Sequence, residues 1–198
     1  MKTLTFFLFL VNNTLYAEVD ESVDYLACGN NPKAIELAKL LIESKSQLRK
    51  KLHCNKTLVE TALIKAKMMA DADRIDHNLN NITPNELIRR SGIKLPSAYD
   101  FLGNQVESVS GGTSFPIEAF DQFMNSPPHR KHLMGESELG LEQDQIGVGF
   151  YQDKQKKHEQ YWVVYITALR SQNDKNKRIP IIKHKYTMDK TSLKKKRN

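Results

Sequence analysis

Apolar side chains recur every three or four residues over the first two thirds of the chain, which is the spacing of helices that bury one face. This spacing predicts a first helix over residues 32–52, with Asn31 as its N-cap and Pro32 in its first turn. A second helix is predicted to begin at a capping box, residues 57–60, and to end just before His77. The first part of the chain is therefore expected to be helical.

Prolines mark the start of each later helix. Pro84 lies in a second capping box and begins a short third helix, which we expect Gly92 to end. Pro116 begins a fourth helix, and the proline pair 127–128 begins a last helical turn that carries His129. The helical part of the chain is predicted to end there.

The pattern then changes to β-branched and aromatic residues, in residues 145–152 and 161–169. The charged connector DKQKKHEQ separates the two runs, so we expect an antiparallel hairpin with a long exposed turn. Tyr161 and Trp162 are interpreted as sheet core. Helices first and strands last predict an α+β fold, in which helices pack around a small antiparallel sheet.

The two ends of the chain differ from this pattern. Residues 1–17 place a short apolar run behind one lysine and before a small residue, which is the layout of a secretory signal peptide. Residues 18–31 read as a polar lead-in, and residues 32–169 as the domain. No later segment has the ~20 apolar residues that a membrane-spanning helix needs. We therefore expect a secreted or periplasmic protein.

Charge is concentrated in residues 170–198, which hold eleven Lys and Arg against two Asp. The net charge of the whole chain, +7, is smaller than that of this tail alone, so residues 1–169 are slightly acidic. The composition of this tail predicts disorder. The tail could be a solvated end, or it could contact anionic lipid or cell-surface polyanions. Nucleic acid is a less favoured partner, because Tyr186 is the tail's sole aromatic residue and residues 1–17 predict export.

Two cysteines in an exported protein invite a disulfide between Cys28 and Cys54. The predicted first helix argues against it. An unbroken helix of that length spans roughly 30 Å, whereas bridged cysteines need Cα atoms within about 7 Å. The bridge requires the helix to break near Ser44–Ser46 and fold back.

Three residues form the candidate reactive cluster: His77, Glu107 and His129. Two imidazoles and one carboxylate can hold Zn²⁺ or another divalent cation with an open fourth position. The same groups could relay protons near neutral pH. Alternatively, Glu107 is structural and accepts hydrogen bonds from backbone amides and histidine. The neighbouring His132 is expected to face solvent, and His53 and His158 are interpreted as surface residues.

Three motifs occur in order around this cluster, VESVSGG at residues 106–112, FMNSPPHR at 123–130 and IGVG at 146–149. With the helix before His77 and the strand YWVVYIT, this order resembles the bacterial branch of the CAP superfamily. That superfamily is the secreted fold, also called the SCP domain, shared by cysteine-rich secretory proteins, antigen 5 and plant pathogenesis-related proteins. The resemblance covers roughly residues 32–169.

The resemblance implies an α-β-α sandwich with a shallow cleft lined by two histidines and acidic residues. His77 takes the place of the first histidine, Glu107 that of the first glutamate and His129 that of the second histidine. The asparagine that usually follows the glutamate is Ser108 here. The family's second glutamate falls on Ser126, so the full set of two histidines and two glutamates is not present.

Two functions remain open from the sequence. The first is a non-enzymatic binding module for an extracellular, envelope or host component, with lipid or glycan as the ligand. The second is a divalent-metal-dependent or acid–base hydrolase that uses His77, Glu107 and His129. A third hypothesis is a secreted scaffold whose basic tail makes the contacts.

Overall fold

A computed structural model describes residues 24–99 and 103–169. The predicted signal peptide, the first part of the lead-in and the basic tail lie outside the described residues. The helices are α1 (Pro32–Ile42), α2 (Lys56–Asp71), α3 (Pro84–Arg90), α4 (Pro116–Asn125), α5 (Pro127–Leu133) and α6 (Glu138–Leu141). The strands are β1 (His53–Cys54), β2 (Glu107–Gly111), β3 (Gln145–Gln152) and β4 (Gln160–Thr167). Helices and strands in one unit agree with the predicted α+β class.

The four strands form one sheet in the order β1-β3-β4-β2. The predicted hairpin is confirmed, since β3 and β4 pair antiparallel with Gln145 opposite Thr167. Strand β2 pairs antiparallel with the other edge of β4. The expectation of a purely antiparallel sheet is wrong, because β1 pairs parallel with β3. Strand β1 has two residues, too few to show a period in the sequence.

The two faces of the sheet bury separate clusters, because neighbouring residues of a strand point to opposite faces. On β4, Trp162 and Val164 pack in a cluster with residues of α1 and α4. Tyr161, Val163 and Tyr165 pack in a second cluster with residues of α2 and α3. The interpretation of Tyr161 and Trp162 as sheet core is confirmed.

Helix α2 lies directly on β3, and two glycines make this possible. A Cβ at Gly147 would come within 2.5 Å of the Leu58 carbonyl carbon, and one at Gly149 would meet the backbone at Ala62. Any side chain at either position would push the helix off the sheet. The glycines of the IGVG motif therefore set the contact between helix and sheet that holds the second cluster together.

The first helix ends at Ile42, so the predicted helix over residues 32–52 is wrong in its second half. The Ser44 hydroxyl accepts a hydrogen bond from the Ser46 amide and forms a local turn. Gln47 then donates to the carbonyl of Leu41 at 3.2 Å and caps the helix end. The returning chain brings Cys54 to Cys28, with Cα atoms 4.5 Å apart in a disulfide. The argument against this bridge assumed one unbroken helix over residues 32–52, and because α1 ends at Ile42 that argument does not hold.

The later helices begin near the expected residues, but α2 ends at Asp71, five residues before its predicted end at Asp76. Helix α3 is capped by Thr83, and Gly92 follows it with a φ of 93°. Helix α2 is capped by Asn55, whose side chain accepts from the Leu58 amide, and not by the predicted capping box at 57–60. No helix in the described part of the chain is long and apolar enough to cross a membrane.

Candidate functional site

Glu107 is the centre of a buried hydrogen-bond network. Its side chain is fully excluded from solvent at the start of β2. The hydroxyl of Tyr165 on β4 donates to Oε2 at 2.6 Å, and Nζ of Lys65 lies 3.8 Å from the same oxygen. The other oxygen, Oε1, lies 2.8 Å from Nδ1 of His77. Both carboxylate oxygens therefore have partners from the protein.

His77 lies in the loop after α2, with 38% of its side chain exposed. A carboxylate oxygen accepts, so Nδ1 must carry the proton that His77 donates to Glu107. Asn104 Nδ2 also lies 3.0 Å from Nδ1 of His77; because an amide nitrogen only donates, this contact is not a hydrogen bond when Nδ1 carries the proton. The Asn104 side chain is held by Glu107 instead, since its Oδ1 accepts from the Glu107 amide at 2.9 Å and its Nδ2 donates to the Glu107 carbonyl at 3.1 Å. The tautomer leaves Nε2 of His77 as a lone-pair nitrogen, with no hydrogen-bond partner in the described part of the chain.

Lys65 on α2 connects this loop to the core. Its Nζ donates to the backbone carbonyl of His77 at 2.5 Å, and its side chain is 1% exposed. Burial lowers the pKa of Lys65, while the nearby charge of Glu107 opposes that shift. Burial also raises the pKa of Tyr165 well above its usual value, and the charge of Glu107 adds to it. Lys65 and Tyr165 thus hold the carboxylate from two sides.

His129, at the third position of α5, completes the predicted cluster. Its ring centre lies 6.3 Å from that of His77, with the planes tilted by 58°. Phe123 supports the ring edge-to-face from α4, with centres 5.4 Å apart. Burial lowers the pKa of His129, and the neighbouring His77 adds to the shift. His77 therefore contacts Glu107 directly and faces His129, whereas His129 has no contact with the carboxylate.

His132 is half-buried and both of its ring nitrogens bond inward, so the prediction that it faces solvent is wrong. It lies three residues after His129, where the helix turns its side chain toward the sheet. Ser108 Oγ lies 2.9 Å from Nδ1, and the Ile166 carbonyl lies 3.3 Å from Nε2. The carbonyl can only accept, so Nε2 carries the proton and Nδ1 accepts from Ser108. Burial, with a smaller contribution from the charge of Arg49, lowers the pKa of His132 to about 3.

A cleft of about 390 Å³ opens beside these residues. Glu107, Ser108, His129 and His132 line one part of it, and the rest is lined by residues 104 and 105, by residues of α5, α6 and the turn between them, and by Gln143. The predicted cleft residue His77 lies beside this lining and is not part of it. Much of its polar floor is already hydrogen-bonded within the protein. Gln143, for example, donates to Tyr99 Oη and the Gln105 carbonyl and accepts from Arg49. Outside ligands would therefore meet mainly the imidazole of His129 and the side chains on the rim.

The described residues contain no group of three or more His, Cys, Asp and Glu side chains placed to hold a metal ion. Glu107 explains why the predicted set of three does not converge. Its oxygens are turned away from His129 toward Tyr165, Lys65 and the protonated nitrogen of His77. Only the two imidazoles remain available as metal ligands. Glu107 orients the His77 ring through the contact with Nδ1 and does not itself face an ion.

Several residues of the site are missed by sequence reasoning. Lys65 lies on an apolar helix stripe and Tyr165 in a run of strand residues, so both read as ordinary members of their elements. A lysine within an otherwise apolar stripe is the available signal, since lysine is almost never buried without a partner. Asn104 and Ser108 carry no comparable signal. The expected surface position is found for His53, which is exposed, whereas His158 is half-buried.

No protein-family model matches this chain, and no curated protein matches it. Among solved structures, an outer surface protein from Borrelia burgdorferi is similar, with a TM-score of 0.50 and 20% identity. The match covers 68% of this chain and 88% of that one. An extracellular protein containing a SCP domain from Bacillus anthracis str. Ames is similar with a TM-score of 0.44 and 17% identity, over 69% of this chain and 37% of its own. The likeness to the Borrelia protein concerns the fold alone.

Proposed function

We propose that this chain is an exported CAP/SCP-like domain that acts outside the cytoplasm as a non-enzymatic binding module. Its ligand is a component of the envelope, the host or the extracellular space, held at the cleft that Glu107 and His129 line, with His77 beside it. The ordered motifs between residues 106 and 149 support the family assignment. Helix clusters on both faces of one sheet, and a fold shared with an outer surface protein, are consistent with it.

The hydrogen bonding of Glu107 carries the choice of binding over hydrolysis. A glutamate that activates water needs an oxygen within hydrogen-bond reach of that water. Here Oε2 is taken by Tyr165 and Lys65, and Oε1 by His77, within a side chain that has no solvent exposure. Glu107 is therefore a positioning residue. It fixes the His77 ring so that Nε2 is available as an acceptor.

The lining of the cleft favours a ligand with polar groups on a small apolar surface. Pro128 and Leu139 supply apolar contact, while His129 and Lys131 lie at the accessible part of the lining. A sugar ring combines hydroxyl groups with an apolar face, so a glycan fits this mixture better than a lipid chain. Lipid remains the alternative within the same proposal.

A binding experiment with matched histidine variants tests the proposal. The labelled full chain is incubated with isolated envelope material and with host matrix, and bound protein is measured with and without EDTA. We expect His77→Ala with His129→Ala to weaken binding at least tenfold, and EDTA to have no effect. The control, His158→Ala, removes a histidine outside the cleft and should bind as the unmodified chain does. Unchanged binding by the first variant would refute the assignment of the cleft.

The second candidate is a divalent-metal-dependent or acid–base hydrolase that uses the same three residues. The facing pair of imidazoles is the observation that favours it. Two rings that share a tetrahedral Zn²⁺ ion with Zn–N bonds of about 2.1 Å have centres roughly 5 Å apart, so the rings of His77 and His129, at 6.3 Å, would have to approach by about 1 Å to share an ion. Glu107 would then hold His77 in orientation rather than bind the ion. Loss of envelope binding in EDTA, restored by Zn²⁺, would favour this candidate.

A further inference from the structure

We propose that one end of the sheet is a docking surface for a lipid bilayer with anionic headgroups. We call it the basic end and define it by Leu48, Lys50, Lys51, His53 and Leu141. The proposal concerns a surface outside the cleft and does not depend on what the cleft binds. Exposed leucines set among lysines are the combination that enters the interface of an anionic membrane.

The basic end surrounds a shallow hollow of about 470 Å³. Leu48 is 56% exposed and Leu141 is 52% exposed, and both line the hollow together with Lys50, Lys51 and His53. Burying such side chains in the interface is favourable, at about 25 cal/mol per Å² of apolar surface. The lysines flank the leucines and can reach headgroups while the leucines enter the acyl boundary.

The backbone holds Leu48 in its exposed position. Its amide donates to the Met134 carbonyl at 3.0 Å. The next residue, Arg49, is buried and donates to the carbonyls of Leu133 at 2.8 Å and His132 at 2.7 Å. These bonds fix the segment to the end of α5 on one side of Leu48. The leucine is therefore presented by a rigid support, and its exposure is a property of the fold.

The register of the sheet brings Leu169, the last described residue before the basic tail, to the same end of the sheet. Gln145 pairs with His53 on one side and with Thr167 on the other. His53 and Thr167 are therefore about 10 Å apart, two strand spacings, at one end of the sheet. Leu169, which is 44% exposed, follows two residues later. The tail, with its eleven Lys and Arg, continues the chain from this point.

The basic end differs in its charged neighbours from another pair of exposed apolar residues. Phe115 and Ile117 are similarly exposed at the start of α4, but Glu118 follows them in the first turn. At the basic end, Asp144 lines the hollow and Glu142 is adjacent to Leu141. Lys50 and Lys51 match these two carboxylates in number, and the eleven Lys and Arg that follow Leu169 in the sequence add positive charge. An anionic bilayer is the partner that matches both the leucines and the charge.

Vesicle co-sedimentation of the full 198-residue chain tests this proposal. The vesicles are pure phosphatidylcholine, or phosphatidylcholine with phosphatidylglycerol as the minor anionic component, at low and high salt. We expect binding to the phosphatidylglycerol vesicles that falls at high salt. Each lysine near an anionic surface contributes roughly fivefold to partitioning, so Lys50→Gln with Lys51→Gln should lower it about 25-fold. Leu48→Gln with Leu141→Gln should lower it at least fivefold.

Two control variants carry the same changes elsewhere. Ile64→Gln removes a side chain of similar exposure, 50%, from the outer face of α2. Lys154→Gln with Lys157→Gln removes two lysines from the β3–β4 turn, at the opposite end of the sheet. Both should bind vesicles as the unmodified chain does. Equal losses in the control and basic-end variants, or no loss at the basic end, would overturn the proposal. Loss of self-association, measured by light scattering, without loss of vesicle binding would identify a second copy of this chain as the occupant instead.

Discussion

Nζ of Lys65 and Oε2 of Glu107 lie 3.8 Å apart, with both side chains shielded from solvent. A buried pair of this kind contributes little net stability, because desolvation offsets the attraction between the charges. Removing one partner is different, since it leaves the other charge buried without its counter-ion. Single substitutions of Lys65 or Glu107 should therefore show, in the free energy of unfolding, how strongly the two charges depend on each other.

Lys65→Met should lower the free energy of unfolding by about 3 kcal/mol, and Glu107→Gln by a similar amount. The double variant should lose clearly less than the sum of the two, because no charge is then left unpaired. Urea unfolding of the four proteins gives the coupling. Additive losses would show that the two groups do not interact.

Tyr165→Phe should lower the free energy of unfolding by about 2 kcal/mol, because it removes a hydrogen bond to a buried carboxylate. Tyr161→Phe on the same strand is the matched control. Its hydroxyl donates to Asp73 at 3.2 Å near the surface, so its loss should lower the free energy of unfolding by less than about 1 kcal/mol. Equal costs would contradict the special role of the Glu107 contact.

His132 should make stability fall as the solution becomes more acidic. Its pKa in the folded protein is about 3, below the usual value near 6.5. As pH falls from 6.5 toward 3, the unfolded chain binds this proton and the folded protein does not. The unfolding free energy should therefore decline by up to about 1.4 kcal/mol per pH unit from this group, and stay level above pH 6.5.

The variant His132→Asn tests that pH dependence, since its amide oxygen can still accept from Ser108. Its unfolding free energy should lack the His132 contribution to the slope, whereas His158→Asn should keep the slope of the unmodified protein. A slope below about pH 6.5 that is the same in all three proteins would be evidence against a neutral His132 imidazole held by Ser108 and Ile166.

The elements with strong local signals are the ones that the sequence predicts correctly. The proline-led helices and the hairpin follow from capping residues, prolines and β-branched runs, which act within a few positions. Strand β2 escapes prediction because its five residues, ESVSG, are mostly polar and small. Helix α1 is shorter than its apolar spacing suggests, since the Leu41 carbonyl near its end accepts from Gln47, a contact that a periodicity argument does not contain.

The candidate site shows the same division. The resemblance identifies His77, Glu107 and His129, and the structure brings the first two into contact. Their roles depend on residues distant in sequence, since Lys65 and Tyr165 lie 42 and 58 positions from Glu107. The position of His132 likewise follows from Ser108 on β2 and Ile166 on β4. No local pattern could show those contacts.

The disulfide between Cys28 and Cys54 should stabilise the fold measurably. It closes a loop of 26 positions, for which chain entropy predicts about 3.5 kcal/mol. Cys28→Ala with Cys54→Ala should lower the unfolding free energy by roughly that amount, measured against the oxidised protein. Addition of a reductant should lower the stability of the unmodified chain and leave that of the variant unchanged. A variant as stable as the oxidised chain would contradict this expectation.

The central claim is that Glu107 positions His77 and leaves Nε2 available to a ligand. Long-range ¹H–¹⁵N spectra of the histidine rings test it most directly, because they report which nitrogen of each neutral imidazole carries the proton. We predict that neutral His77 is protonated at Nδ1, and that Glu107→Gln changes this signal while leaving that of His158 unaltered. Protonation of neutral His77 at Nε2 in the unmodified protein would contradict the account.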